Sequence, residues 1–219
     1  MAVCLKSKSD FCGGGLSLTV EHPTFAERFR ALIEINYGTF RGFVRLLLGE
    51  LEFVAGRLRA FTTLKPDQVS RLVFVCLGNI NRSAFADVVA RSQGVRVASI
   101  GLATTTGAPA FEKAIEFAPL FGQELIDHRA TDFSDYVFER GDLLLAMEVR
   151  HARELVRRGI PPDSIALLGH WSKPHRIHIH DPHTLSDSYF PTCFAILHSA
   201  VLSLVDELRQ GGSPSVVVK

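Results

Sequence analysis

Between Val75 and Ser83 the chain reads "VCLGNINRS": Cys76 and Arg82 bracket a short loop that also holds a glycine and two asparagines. The chemistry that calls for this set is the handling of a phosphate. A loop that leaves a strand and turns into a helix points backbone N–H groups into one concavity, and the helix dipole adds positive potential there. Arg82 brings a planar fork matched to two phosphate oxygens, and Gly78 reads as a turn residue with positive φ. A cysteine on the floor of such a cradle faces donors that stabilise negative charge on sulfur, which makes it a nucleophile. The alternative is a structural cysteine closing a core strand. That is the commoner fate of cysteines, but it leaves the glycine, arginine and serine at these offsets unexplained.

The elements that must position this loop alternate along the second part of the chain. "LVFVC" (72–76), "VRVAS" (95–99), "DLLLAM" (142–147) and "SIALL" (164–168) are apolar runs of strand length. "RSAFADVVARSQG" sets Phe85, Val88 and Val89 on one helical face, with Gly94 as a left-handed cap. Further helices are predicted over about 110–121, 148–158 and 187–210. Alternating strands and helices give an α/β fold, a doubly wound open parallel sheet with helices on both faces. In such sheets ligands bind at the carboxyl ends of strands, where Cys76 falls.

The expected division is a tail over 1–22, a helical extension and connector over 23–70, the α/β domain over 71–211 and a second tail over 212–219. In the extension, Phe25, Phe29, Leu32 and Ile33 form one apolar stripe, and Phe40, Phe43, Leu47, Leu51, Val54 and Leu58 another, with Gly38 as the break. Basic and acidic residues, 24 against 23, nearly cancel, which argues against a nucleic-acid partner held by bulk charge. The most apolar early stretch is interrupted by Arg45, Glu50 and Glu52, so no bilayer span is expected there. Cysteines at 4, 12, 76 and 193 lack the spacing of a disulfide framework or zinc site, which points to a reduced, cytoplasmic protein.

Residues 72–210 resemble the low-molecular-weight protein tyrosine phosphatase family. The family's loop, Cys-x-Gly-Asn-x-Cys-Arg-Ser, is matched by Cys76 to Ser83. "ASIGLATTTGAP", "DHRATDF", "DLLLAME" and "IHDPHTLSD" follow in family order. The resemblance implies a phosphatase working through a phosphocysteine, with Cys76 as nucleophile and Asp181 as general acid. Leu77, Gly78, Asn79, Ile80, Asn81, Arg82 and Ser83 would bind phosphate, supported by a hydrogen-bond network of Asn79, Ser83, Ser99 and His128. Asp-Pro is also a common turn opener, and Asp187 is the nearest competing acid, although it reads more simply as a first-turn residue of the last helix.

Three departures from the family pattern matter. Asn81 replaces the second loop cysteine, so no disulfide can form within the loop and oxidation of Cys76 is expected to run on to irreversible acids. Thr105 and His183 stand where bulkier pocket walls are common, which loosens the expected preference for phosphotyrosine. Glu148 follows "LLLAM" where the family has Asp, a mild change.

The resemblance implies a tyrosine-phosphorylated protein substrate, a bacterial tyrosine kinase among the candidates, and no cofactor. Histidines at 170, 175, 178, 180 and 183 lack a completing ligand set for a metal. For the extension, packing on its own domain or a homodimer contact is favoured over a membrane surface, because Glu27, Glu34, Glu50 and Glu52 intersperse with its arginines. Two rival functions remain: an arsenate reductase on the same fold, which would need a cysteine relay that this chain does not show, and a non-catalytic phosphate-binding module.

Overall fold

The computed structural model describes residues 24–211; the expected tails, with Cys4 and Cys12, lie outside the described residues. Helices α1 (Phe25–Tyr37) and α2 (Phe40–Val54) come first. Strand β1 (Arg71–Cys76), helix α3 (Arg82–Ser92), β2 (Val97–Gly101) and α4 (Glu112–Phe117) follow. The chain then forms β3 (Asp142–Ala146), α5 (Val149–Arg157), β4 (Ile165–Leu167) and α6 (Phe190–Gln210).

The four strands are parallel, in the order β2-β1-β3-β4. β1 is central and covered on both faces, which is why Leu72 to Cys76 is an unbroken buried apolar run rather than an alternating one. Leu72, Phe74 and Cys76 share a core with α3 and α6, while Val73 and Val75 share the opposite core with α5 and Leu58. Phe194 of α6 stacks on Phe85 of α3 with ring centroids 3.9 Å apart. By length and apolarity α6 could cross a bilayer, but its Leu197, Val201 and Leu204 are buried in the core.

β2 runs two residues later than expected, since its register pairs Leu72 with Val97 and Cys76 with Gly101. Gly101 is needed there: a Cβ would stand 2.9 Å from the Leu77 carbonyl oxygen. The helix expected over 110–121 shortens to α4 and continues as a 3-10 turn, Ala118–Phe121, in which Pro119 lacks a backbone N–H.

The extension is a helical hairpin broken at Gly38, where φ is 72°. Its packing reverses one expectation. Most of the apolar stripes face solvent, including Phe25, Phe29, Leu32, Phe40, Leu47, Leu51 and Val54, while Ile33, Gly42 and Gly49 turn inward. Glycines win the inner face because the helix backbone lies directly on residues 176–185. A Cβ at Gly42 would meet the Tyr37 carbonyl oxygen at 2.3 Å and His180 at 2.8 Å, and one at Gly49 would meet Ile177 at 2.7 Å. Thr39 Oγ1 lies 3.2 Å from His180 Nε2, the Ile177 N–H donates to Glu50 at 2.9 Å, and Arg176 donates to the Asn36 carbonyl. Leu58, the last residue of the second expected stripe, is fully buried against the sheet.

This orientation predicts that Gly42→Ala costs about 1–3 kcal/mol despite alanine's better helix propensity. Leu47→Ala on the outer face should change stability by less than about 0.5 kcal/mol. Urea unfolding of both variants checks it; a larger loss for Leu47→Ala would mean that the hairpin is seated the other way round.

Candidate active site

The cradle begins where β1 ends. Carbonyls of Cys76 and Leu77 accept from Leu102 and Ala103, the Ile80 carbonyl accepts from Phe111, and α3 opens at Arg82. The left-handed residue is Asn79, with φ at 50°, rather than Gly78, whose φ is not positive. Asparagine tolerates this region because its short polar side chain bonds locally. Its carboxamide bonds once locally, Nδ2 donating to Ser83 Oγ at 2.9 Å, and once across the fold, Oδ1 accepting from Thr131 N–H at 2.8 Å.

Cys76 Sγ accepts from the Asn79 N–H at 3.2 Å and lies 3.0 Å from Ser83 Oγ. Since Ser83 Oγ already accepts from Asn79, its own hydrogen is free to point at sulfur. His128 Nε2 is 2.7 Å from the Asn79 carbonyl oxygen, which can only accept, so the ring carries its hydrogen there. Burial, the largest influence, pushes that imidazole below its ordinary value, outweighing the carbonyl contact. Asn79, Ser83 and His128 are thus brought into one network around the sulfur. Ser99 is not: it sits on β2, makes no side-chain bond to the loop, and lines a cavity of about 500 Å³ with Asp87, His128 and Tyr136.

Arg82 is fully buried. Its Nη1 donates to Glu148 at 2.7 Å and to the Ile179 carbonyl at 2.9 Å, and Nη2 donates to Asp181 at 2.5 Å. Burial opposes its charge, but Asp181 and Glu148 hold the guanidinium well above its ordinary value. Among the described residues its Nε group alone has no partner, a buried donor of the kind an anion's oxygen would satisfy. Asn81 Oδ1 is likewise buried and unpaired. Burial would raise the Asp181 carboxyl, yet Arg82 and the His183 N–H, 3.2 Å away, keep it below the usual carboxylate range.

Sequence reasoning undervalued Glu148. It is 1% exposed, chelated by Arg150 at 2.7 and 2.8 Å, and flanked by His151 and His178 at 3.6 and 3.7 Å. Burial would raise its carboxyl, but Arg82 and these neighbours hold it far below the usual range. The available signal was positional: Ala146 pairs with Val75, so a residue just past β3 stands at the same carboxyl edge as Cys76. Phe111 was also missed. Its ring meets His183 edge-on at 4.8 Å, forming an aromatic wall beside Asp181. Leu77, 43% exposed, stands on the loop, and exposed Thr105 lies two residues past Ala103. Asp187 pairs with Lys113 at 3.0 Å instead of approaching Arg82. His170 lies near His175 and His178 near His180, with ring centroids 5.6 and 5.8 Å apart, but among the described residues no group of three or more His, Cys, Asp or Glu is arranged to hold a metal.

A cysteine thiol, a buried guanidinium and a carboxylate are gathered at the carboxyl edge of a parallel sheet, a set suited to a phosphate ester. Residues 71–213 match the family model for low molecular weight phosphotyrosine protein phosphatases, and the chain belongs to that family. It is 28% identical over 146 residues to the probable low molecular weight protein-tyrosine-phosphatase EpsP of Ralstonia solanacearum, covering 66% of this chain and 99% of that one. Identity to the probable low molecular weight protein-tyrosine-phosphatase AmsI of Erwinia amylovora is 31% over 146 residues, 65% of this chain and 99% of the relative. The solved structure of Erwinia amylovora AmsI superposes with a TM-score of 0.57 at 29% identity, covering 66% and 97% of the two chains. The arginine phosphatase YwlE of Geobacillus stearothermophilus, at 23% identity, TM-score 0.57 and 64% and 94% coverage, shares the fold. The chain is therefore a phosphatase of the low molecular weight protein-tyrosine type, and α1 and α2 lie outside the matched region.

The histidines beside Glu148 predict a pH dependence. Burial pushes His151 down to about 3 and His178 down to about 4, from 6.5. The unfolded chain therefore binds protons near pH 6.5 that the folded one refuses. This stability is fully present above pH 6.5 and is lost as pH falls toward 4. The urea midpoint should drop steadily between pH 7 and 5, and less so in His178→Asn. A midpoint unchanged over that interval would contradict the buried, neutral assignment.

Proposed function

We propose that the chain hydrolyses phosphotyrosine in proteins through a covalent phosphocysteine at Cys76. One observation carries the reading: Arg82, at the root of the loop that holds Cys76, also binds Asp181 at 2.5 Å, so phosphate site and acid meet on a single side chain. Substrate phosphate would take the free Nε of Arg82 and the loop N–H groups. Sulfur attacks phosphorus as the bond to the aryl oxygen breaks, with charge on the equatorial oxygens met by Arg82 and the loop. Asp181 gives its proton to the leaving oxygen. It then takes one from the water that attacks phosphorus, the S–P bond breaks, and phosphate leaves.

In the free enzyme Arg82 favours the ionised form of Asp181. A phosphate dianion on the same guanidinium offsets that effect, so the carboxyl gains proton affinity when substrate arrives. The wall of Phe111 and His183 supports an aromatic leaving group. The relatives' names support tyrosine-phosphorylated proteins as substrates, and a tyrosine kinase carrying its own phosphotyrosines is the candidate that the family resemblance implies. A thiol nucleophile without an in-loop partner favours a reducing, cytoplasmic setting.

Steady-state hydrolysis of phenyl phosphate in chelator-treated buffer tests the roles. Cys76→Ser should be inactive, and Asp181→Asn should lose on the order of 10²–10⁴ in kcat together with the alkaline limb of its pH profile. With dinitrophenyl phosphate, whose leaving group needs no proton, the Asp181→Asn loss in kcat/KM, which reports the first transfer, should shrink to within tenfold, while kcat stays slowed by the missing base. Full activity in Cys76→Ser, or equal losses in kcat/KM on both esters, would overturn the assignments.

A further inference from the structure

The outer face of the α1–α2 hairpin is apolar over its whole length. On α2, residues 40, 44, 47, 51 and 54 are Phe, Val, Leu, Leu and Val, spaced to fall on one side of a helix, and all are exposed. Phe25, Phe29 and Leu32 continue the surface onto α1, with Phe25 at 85% and Val54 at 83% exposure. The hairpin cannot bury this face by turning over, because Gly42 and Gly49 fit its opposite side to residues 177–180 with no room for a Cβ. A contiguous apolar surface fixed toward water marks an interaction site.

Charge identifies what covers it. Three of the hairpin's four acids are engaged within the chain: Glu27 caps α1 through Thr24, Glu50 accepts from Ile177 and faces His175 at 3.2 Å, and Glu52 binds Arg153 at 2.6 Å. Among the described residues Glu34 has no such partner. Arg28, Arg30, Arg41, Arg57 and Arg59 are exposed and make no ion pair among the described residues. The intermixing of sign that argues against a membrane in sequence is thereby partly undone in space: Glu50 and Glu52 are matched by basic groups of the phosphatase domain, and the five unpaired arginines outnumber Glu27 and Glu34, which keep their charge. Two copies pairing through this face would bring the same unpaired arginines together, which disfavours self-association.

We propose that the hairpin docks on an anionic membrane surface. Phe25, Phe29, Phe40, Leu47, Leu51 and Val54 enter the boundary between headgroups and acyl chains, and Arg28 and Arg41 meet lipid phosphates and other headgroup anions. The hairpin then acts as a peripheral anchor for the phosphatase domain. This proposal does not depend on the catalytic assignments.

Flotation of the full chain with vesicles tests it. The chain should float with vesicles of equal parts phosphatidylcholine and phosphatidylglycerol, much less with phosphatidylcholine alone, and the binding should weaken with salt. The double variant Leu47→Glu, Leu51→Glu should lose flotation while keeping wild-type thermal unfolding. The double variant Arg28→Glu, Arg41→Glu should bind anionic vesicles at least tenfold more weakly. Three results would overturn the proposal: no flotation, equal flotation with both vesicle types, or a dimer by light scattering that the leucine variant dissociates, which would assign the face to a second copy.

Discussion

The site depends on one constraint, the placing of the Arg82 guanidinium in a fully buried position. A charge there is sustained only by partners that are themselves well held, and removing one partner of such a pair typically costs about 3–5 kcal/mol. Glu148 is the structural partner: two Arg150 contacts fix it, and it takes one terminal nitrogen of Arg82. Asp181 takes the other terminal nitrogen from a more open position, with its side chain 28% exposed. The two carboxylates therefore divide their duties by environment. Glu148 fixes the arginine, and Asp181 is the carboxylate left open to solvent.

The same constraint organises the surrounding elements. Adjacent parallel strands bring the ends of β1 and β3 side by side, so the loop after Cys76 and Glu148 arrive at one edge without any specific side-chain contact guiding them. The acid arrives on residues 176–185, which have no strand of their own in the sheet. They are held by the Ile179 N–H donating to the Met147 carbonyl and, from the other side, by Thr39, Glu50 and the glycine face of α2. An element outside the family thus presses on the segment that carries the acid.

How much was legible in the sequence follows from the range of each interaction. The strands and the Cys76 to Ser83 loop were readable because they are local: a buried parallel strand is a continuous apolar run, and a strand-to-helix turn places Arg82 automatically. Asn79 as the left-handed residue was hidden behind Gly78, because glycine permits that conformation without requiring it. Ser99 lay in a matching segment and shares the sheet face of Cys76, but its register opposite Phe74 leaves it two residues short of the loop, which its side chain does not join. Glu148 was legible only as a residue just past a strand end, and Phe111 meets His183 through a contact across the fold that no spacing rule encodes. The hairpin's orientation was misread for a related reason: an apolar stripe normally marks the inner face, and here two glycines made the opposite face the better fit.

The central claim is that phosphorus passes to Cys76 before it passes to water. Acid quenching of Asp181→Asn during turnover of dinitrophenyl phosphate, followed by mass spectrometry of its peptides, tests this directly, because the first transfer needs no proton from residue 181 while the slowed transfer to water lets the intermediate accumulate. The account predicts one phosphoryl group on the peptide carrying Cys76 and none on the corresponding peptide of a Cys76→Ala chain. Turnover with no phosphoryl group on that peptide, and with phosphate released at an unchanged rate by Cys76→Ala, would contradict it.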